Sequence, residues 1–129
     1  MNKTILIVGT FDTKNDELRF MQGVILDQGG NTLTMDVSVL KDPKKPTDIS
    51  KHDVANAGDS GIESIIALDD ENEAMQVMAL GASRLTANAY GDGLIDGVII
   101  LGGTMGTDLA LDVCLSLPIG VPKYIISTV

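Results

Sequence analysis

The sequence predicts an α/β domain, a three-layer αβα sandwich around a doubly wound, mostly parallel sheet of about four strands in the order 2-1-3-4. Three observations carry that prediction. Residues 4–8 and 97–101 are continuous β-branched and aliphatic runs, the pattern of strands buried on both faces rather than on one. Helical patterns separate these runs from further strand-like ones, and a strand, helix, strand order of this length implies a right-handed parallel crossover. Gly9 and Gly102 close the two apolar runs, so each strand turns tightly toward its helix.

Taken in order, the first strand gives way to the turn Gly9-Thr-Phe-Asp12 and then to a helix that Thr13 is expected to cap, with Asp16 three residues on. Leu18, Met21, Val24 and Ile25 mark one apolar face, and Gly29 and Gly30 stop it. Residues 32–39 form the second strand. From 40 to 68 the pattern weakens to a proline-bounded loop, a short helix capped by Ser50 and ended by Gly58, and Ile62, Ile65 and Ile66 at helical spacing. Asp69 and Asp70 suit the positive end of the longest helix, which runs to Tyr90 before Gly91-Asp-Gly93 breaks it. Its small residues Ala79, Gly81, Ala82 and Ala89 permit close approach of another helix, within the fold or across a dimer. A strand over 97–101, a turn over 102–107, a helix over 108–117 and a strand over 123–129 complete a βαβαβαβ order. The first strand is central, and the switch point falls between strands one and three, where both glycine-bearing turns emerge.

A chain of 129 residues makes one domain, 1–129, with a single core. With no Trp, two Phe and two Tyr, and a net charge of -9, it lacks the stacking rings and the positive field that nucleic acids require. A single cysteine forms no internal disulfide, and no apolar stretch approaches the roughly 20 residues that span a bilayer, so the expected setting is cytoplasmic with no membrane partner. His52 is the lone histidine, without Cys or carboxylate at metal-ligand spacing, and reads as a surface residue. No hydrolytic or redox constellation is visible, which leaves enzyme activity open.

The candidate site lies in the two turns. Gly102-Gly103-Thr104-Met105-Gly106-Thr107 joins a buried strand to a helix, so its backbone N–H groups and the helix dipole suit an anion. Glycines let that backbone approach a phosphate, and the Thr104 and Thr107 hydroxyls add donors. The turn matches neither the dinucleotide fingerprint nor the phosphate-loop pattern, and taken alone it reads equally well as a plain tight turn. The second turn, Thr10, Asp12, Thr13 and Lys14 after Gly9, shifts the balance: Lys14 is suited to pair a phosphate and Asp12 to hold Mg²⁺ or orient a sugar hydroxyl, although taken alone Asp12 and Thr13 read as helix caps and Lys14 as a surface charge. Asp36, toward the end of the second strand, either meets a ribose or, if the strand is an edge, faces water. Lys123 opens the last strand at the opposite edge and is excluded.

The segments Gly-Thr-Phe-Asp-Thr-Lys (9–14), Gly-Gly-Thr-Met-Gly-Thr (102–107), Val-Pro-Lys-Tyr-Ile-Ile-Ser-Thr-Val (121–129) and Asp-Ile-Ser-Lys-His-Asp-Val (48–54) resemble the Tm-1-like family, UPF0261, through the whole chain. The resemblance implies a doubly wound, Rossmann-like or flavodoxin-like amino-terminal domain that binds ATP, with or without Mg²⁺, and tends to form a homodimer. Carried over by position, it implies nucleotide contacts at Thr10, Asp12, Thr13, Lys14, Gly102, Gly103, Thr104, Gly106 and Thr107, with Ser127 and Thr128 lining the same edge. Family members continue into a second, larger domain, which is expected to be absent here. Met105 and Asn15 stand where the family pattern has glycine, changes that reshape the turns. The expected function is an ATP-binding or other nucleotide-binding module. Two alternatives stand beside it: half of an enzyme acting on a phosphorylated or carboxylate metabolite, and a protein-interaction domain with a vestigial pocket.

Overall fold

The computed structural model describes residues 2–102 and 106–127, with the backbone alone at 106 and 107. Its strands β1 (Thr4–Gly9), β2 (Asn31–Asp36), β3 (Gly97–Gly102) and β4 (Lys123–Ser127) pair in parallel throughout, in the order β2-β1-β3-β4. The predicted α/β class and strand order are therefore observed. The helices are α1 (Asn15–Asp27), α2 (Lys51–Ala57), α3 (Ile62–Ala67), α4 (Glu71–Gly91) and α5 (Gly106–Leu115).

Period-two alternation divides the core between two layers. Leu6, Val8, Met35, Val98 and Ile100 pack under α2 to α5, whereas Ile7 and Leu101 point the other way and meet Phe11 and Leu18 beneath α1. Placing α1 opposite the remaining helices follows from the topology: crossovers leaving β1 leftward and β2 rightward, both right-handed, must cover opposite faces. Since α1 packs on β1 and β2, Tyr124 and Ile126 of the edge strand β4 stay exposed on its side.

Three local expectations need correcting. Thr13 does not cap α1: Lys14 occupies the N-cap position without a side-chain hydrogen bond, because the Thr13 hydroxyl faces that of Thr10 at 3.1 Å. Val24 is exposed rather than buried, since the stripe of α1 that meets the sheet runs through Leu18, Met21 and Ile25. The second strand ends at Asp36, not Val39, as the chain leaves the ladder after the Val37 N–H reaches the Gly9 carbonyl at 3.0 Å.

The middle segment is well ordered by its own polar groups. Ser50 and Asp53 form a reciprocal capping box at the start of α2, and Asp70 caps α4 by accepting from the Asn72 and Glu73 amides. A Cβ on Gly81 would run into the Val54 carbonyl oxygen, and one on Gly58 would lie 2.5 Å from that of Val77. Gly81 thus serves backbone-close packing of α4 against α2, and Ala79, Ala82 and Ala89 are buried in the same core, so the stripe packs within the fold.

Candidate functional site

The register brings the 9–14 turn and the end of β3 to one rim. β1 and β3 are adjacent and parallel, with Val8 opposite Ile100, so the 9–14 turn and Gly102 leave the same edge of the sheet. Gly9 pairs with Asp36 and Gly102 with Ser127, which adds the ends of β2 and β4 to that rim. Lys123 lies at the opposite edge, as expected. Gly103, Thr104, Met105 and Thr128 lie outside the described residues; Gly106 and Thr107 open α5.

Local chemistry fixes the 9–14 turn. The Thr13 and Lys14 N–H groups both donate to the Thr10 carbonyl, at 3.2 and 2.8 Å, curling the chain into the helix. Phe11 is fully buried beneath it, and the Arg19 guanidinium stands 5.0 Å from its ring centre while donating to the Lys45 and Pro46 carbonyls. Gly9 lets Leu18 pack close over the strand end: a Cβ there would lie 2.7 Å from a Leu18 methyl, which would have to shift. Lys14 is half-buried, and the Asp12 Oδ2 accepts from the Lys41 N–H at 3.3 Å. The result is a helix whose first-turn amides have no side-chain cap, at the carboxyl end of a central strand.

Asp36 corrects one expectation. It belongs to an edge strand yet is only 1% exposed, so it does not face water. Residues 47–49 cover that edge: the Thr34 N–H and hydroxyl donate to the Asp48 carboxylate at 2.9 and 3.1 Å, and the Asp36 N–H donates to the Ile49 carbonyl. Asp36 Oδ1 accepts from the Phe11 N–H at 3.2 Å, the Ser38 N–H at 3.0 Å and the Ser38 hydroxyl at 2.6 Å, while Oδ2 is buried without a partner. The carboxylate clips the β1–α1 turn to the segment leaving β2, so it shapes the rim from beneath.

Beside the turn opens a cleft of about 370 Å³. One wall is Thr10, Asp12 and Thr13; the floor is the stretch after β2, Val37 to Leu40; the far wall is the α3–α4 corner. Only the first wall was read from the sequence. The 37–39 stretch resembled a strand continuation, and the corner showed only the Asp69-Asp70 pair, which reads fully as a helix start. Asp69 sits at a φ of 50°, in the left-handed region that Asp tolerates better than most residues.

Of the other titratable groups, Lys51 and Asp42 adjoin the rim through Lys41, whose N–H reaches Asp12. Burial pushes the Cys114 thiol up, which withholds the thiolate and leaves it a small hydrophobe, as expected. The Lys51 ammonium donates to Asp42 at 2.8 Å and to the Lys41 carbonyl at 3.0 Å, and this pairing holds the Asp42 carboxyl below its usual value. His52 is exposed on α2. Among the described residues no three His, Cys, Asp or Glu side chains gather as a metal cluster. A single carboxylate such as Asp12 is what a nucleotide-borne Mg²⁺ takes, because phosphates and waters complete its shell.

The chain matches, over residues 3–129, the family model described as "Uncharacterised protein family (UPF0261) N-terminal domain". It is 50% identical over 125 residues to a UPF0261 protein of Brucella suis, covering 97% of this chain and 30% of that protein. It is 38% identical over 128 residues to a UPF0261 protein of Clostridium tetani, covering 99% of this chain and 32% of the relative. Against the tomato (Solanum lycopersicum) ToMV susceptible protein tm-1(GCR26) it is 32% identical over 140 residues, 97% of this chain and 19% of the plant protein. The chain thus spans about a third or less of the length of these relatives. It belongs to the UPF0261 family and corresponds to that family's amino-terminal domain.

Proposed function

We propose that this domain binds a nucleotide, ATP first, with its phosphates over the 9–14 and 102–107 turns. The observation that carries the reading is the uncapped amino end of α1 at the carboxyl end of β1, beside Gly102 at the end of β3. Free first-turn amides favour an anion, but Asp16 and Glu17 in that turn oppose it. Lys14 offsets part of this opposition and is the cation assigned to the phosphates. Asp12 is assigned to a Mg²⁺ or a sugar hydroxyl; Ser127, exposed at the end of β4, lines the same rim. Asp36 has no direct ligand role in this reading and acts by holding the turn.

The enzyme alternative, with a carboxylate as general base, rests on Asp12 alone, since the buried Oδ1 of Asp36 already accepts three hydrogen bonds. Thermal melting with ATP, ADP, sugar phosphates and small acids, with and without Mg²⁺, tests the reading. A ligand at about 100 times its Kd adds about 2.7 kcal/mol, several degrees for a domain of this length. Lys14→Ala is expected to remove the ATP shift while leaving the ligand-free Tm within about 2 °C, because an exposed or half-exposed lysine contributes little to stability. A melt that ignores every nucleotide and responds to metabolites supports the enzyme reading instead.

A further inference from the structure

The cleft beside the turn has a chemistry of its own. Its interior is apolar: Val37, Val39, Ile65, Ala74 and Met75 line it, and Ile65 and Ala74 belong to the buried core. Leu40 and Ile66, at 76% and 50% exposed, stand at the mouth with apolar surface in water. At about 370 Å³ the space falls at the lower end of the range of small-molecule pockets.

Charge decides what kind of small molecule. Asp12 stands on one lip, and Asp69, Asp70 and Glu71 stand on the other. No Lys, Arg or His lines the cleft among the described residues. The amino end of α4 also points here, and alone it would attract an anion with about half an elementary charge. Asp70 already caps it at 2.9 and 3.3 Å, and Glu71 and Glu73 fill its first turn, so formal negative charge exceeds the dipole several-fold. A phosphate or carboxylate is repelled. Carboxylates are acceptors only, and a ligand that supplies N–H donors and positive charge satisfies them. Low-dielectric walls focus this field on the space between the lips.

We propose that this cleft binds a small organic cation, a primary ammonium or guanidinium carried on an apolar body about the size of one ring. The apolar body sits on Val39, Ile65 and Met75, and the cationic head lies between Asp12 and the Asp69–Glu71 lip. The site shares only the 10–13 wall with the proposed nucleotide position and does not depend on that reading.

Titration of the ¹⁵N-labelled full chain with 2-phenylethylammonium chloride, followed by amide shifts, tests it. The expected result is a saturable perturbation at Ser38, Val39, Ile65, Asp70 and Met75, at least roughly five-fold weaker with the neutral isostere 2-phenylethanol, and weakened by added NaCl. The Asp69→Asn, Glu71→Gln double variant is expected to weaken the amine roughly four-fold and leave the alcohol unchanged, as two screened, exposed charges should. Both side chains are exposed and Asn tolerates the left-handed backbone at position 69, so the variant keeps the fold. Equal binding of amine and alcohol overturns the proposal. So does a flat titration at about 10 mM, where a ligand with Kd near 1 mM would be bound. A chain that binds the amine but not ATP overturns the nucleotide reading alone, and the converse overturns this one alone.

Discussion

Asp36 is the residue on which the rim turns. Replacing it with Ala leaves the Phe11 amide, the Ser38 amide and the Ser38 hydroxyl without their acceptor in a buried setting, and removal of such a partner costs about 1–3 kcal/mol per orphaned group before relaxation. Asp36→Ala is therefore expected to destabilise by about 2–4 kcal/mol in urea unfolding, with Asp36→Asn costing far less because it keeps an acceptor oxygen at Oδ1. Equal losses for the two variants would mean that the hydrogen bonds at Oδ1 do not carry the effect. Asp42 offers a pH-dependent companion. Its folded pKa is lowered by the hydrogen bond and charge of Lys51, so its contribution is present above the unfolded value and disappears as pH falls through the lower folded value. Asp42→Asn should flatten the acid side of the stability profile slightly, and an unchanged profile would show the pair to be fully screened. The sequence marked Asp36 as notable but gave no sign of its burial, because the cover comes from residues 47–49, whose weak pattern does not reveal where they fold back.

Two glycines in helices are expected to respond in opposite directions. Gly81→Ala forces α4 away from the Val54 carbonyl of α2, an overpacked contact between two backbones, and should cost about 2–3 kcal/mol, roughly 8 °C or more in Tm. Gly23, in the middle of α1 with open space around it, gains helix propensity on becoming Ala, about 0.5–1 kcal/mol of added stability. A pair of melts decides both, and a neutral Gly81→Ala would contradict the close α2–α4 packing. At this scale the sequence was legible where one local signal dominated. Ser50 announced α2, Asp70 announced α4, and Gly29 with a φ of 87° ended α1. It was ambiguous where two signals competed: Thr13 has the chemistry of a cap, but Thr10 three residues earlier takes its hydroxyl. The small stripe on α4 announced a close helix contact without saying which helix makes it.

For the molecule as a whole, the net charge of -9 opposes compactness, and its repulsion shrinks with the Debye length, from about 30 Å at 0.01 M salt to about 8 Å at 0.15 M. Tm is expected to rise across that interval in NaCl; a constant or falling Tm would mean that local pairs such as Lys51–Asp42 outweigh the global field. Strand order was readable because fully apolar runs alternating with helices leave few allowed topologies. The shared rim followed from that order, since parallel neighbours send their turns to one edge. The cleft did not follow, because its far wall comes from α3 and α4, brought over the end of β2 by packing that no short motif records. The claim at the centre is that this rim is where ligand binds. Amide-shift mapping of the labelled chain with Mg·ATP tests it most directly: perturbations gathered on residues 9–14, Gly102 and Ser127 are expected, and perturbations confined to the amino-terminal ends of the strands, around Lys3 and Lys123, would contradict it.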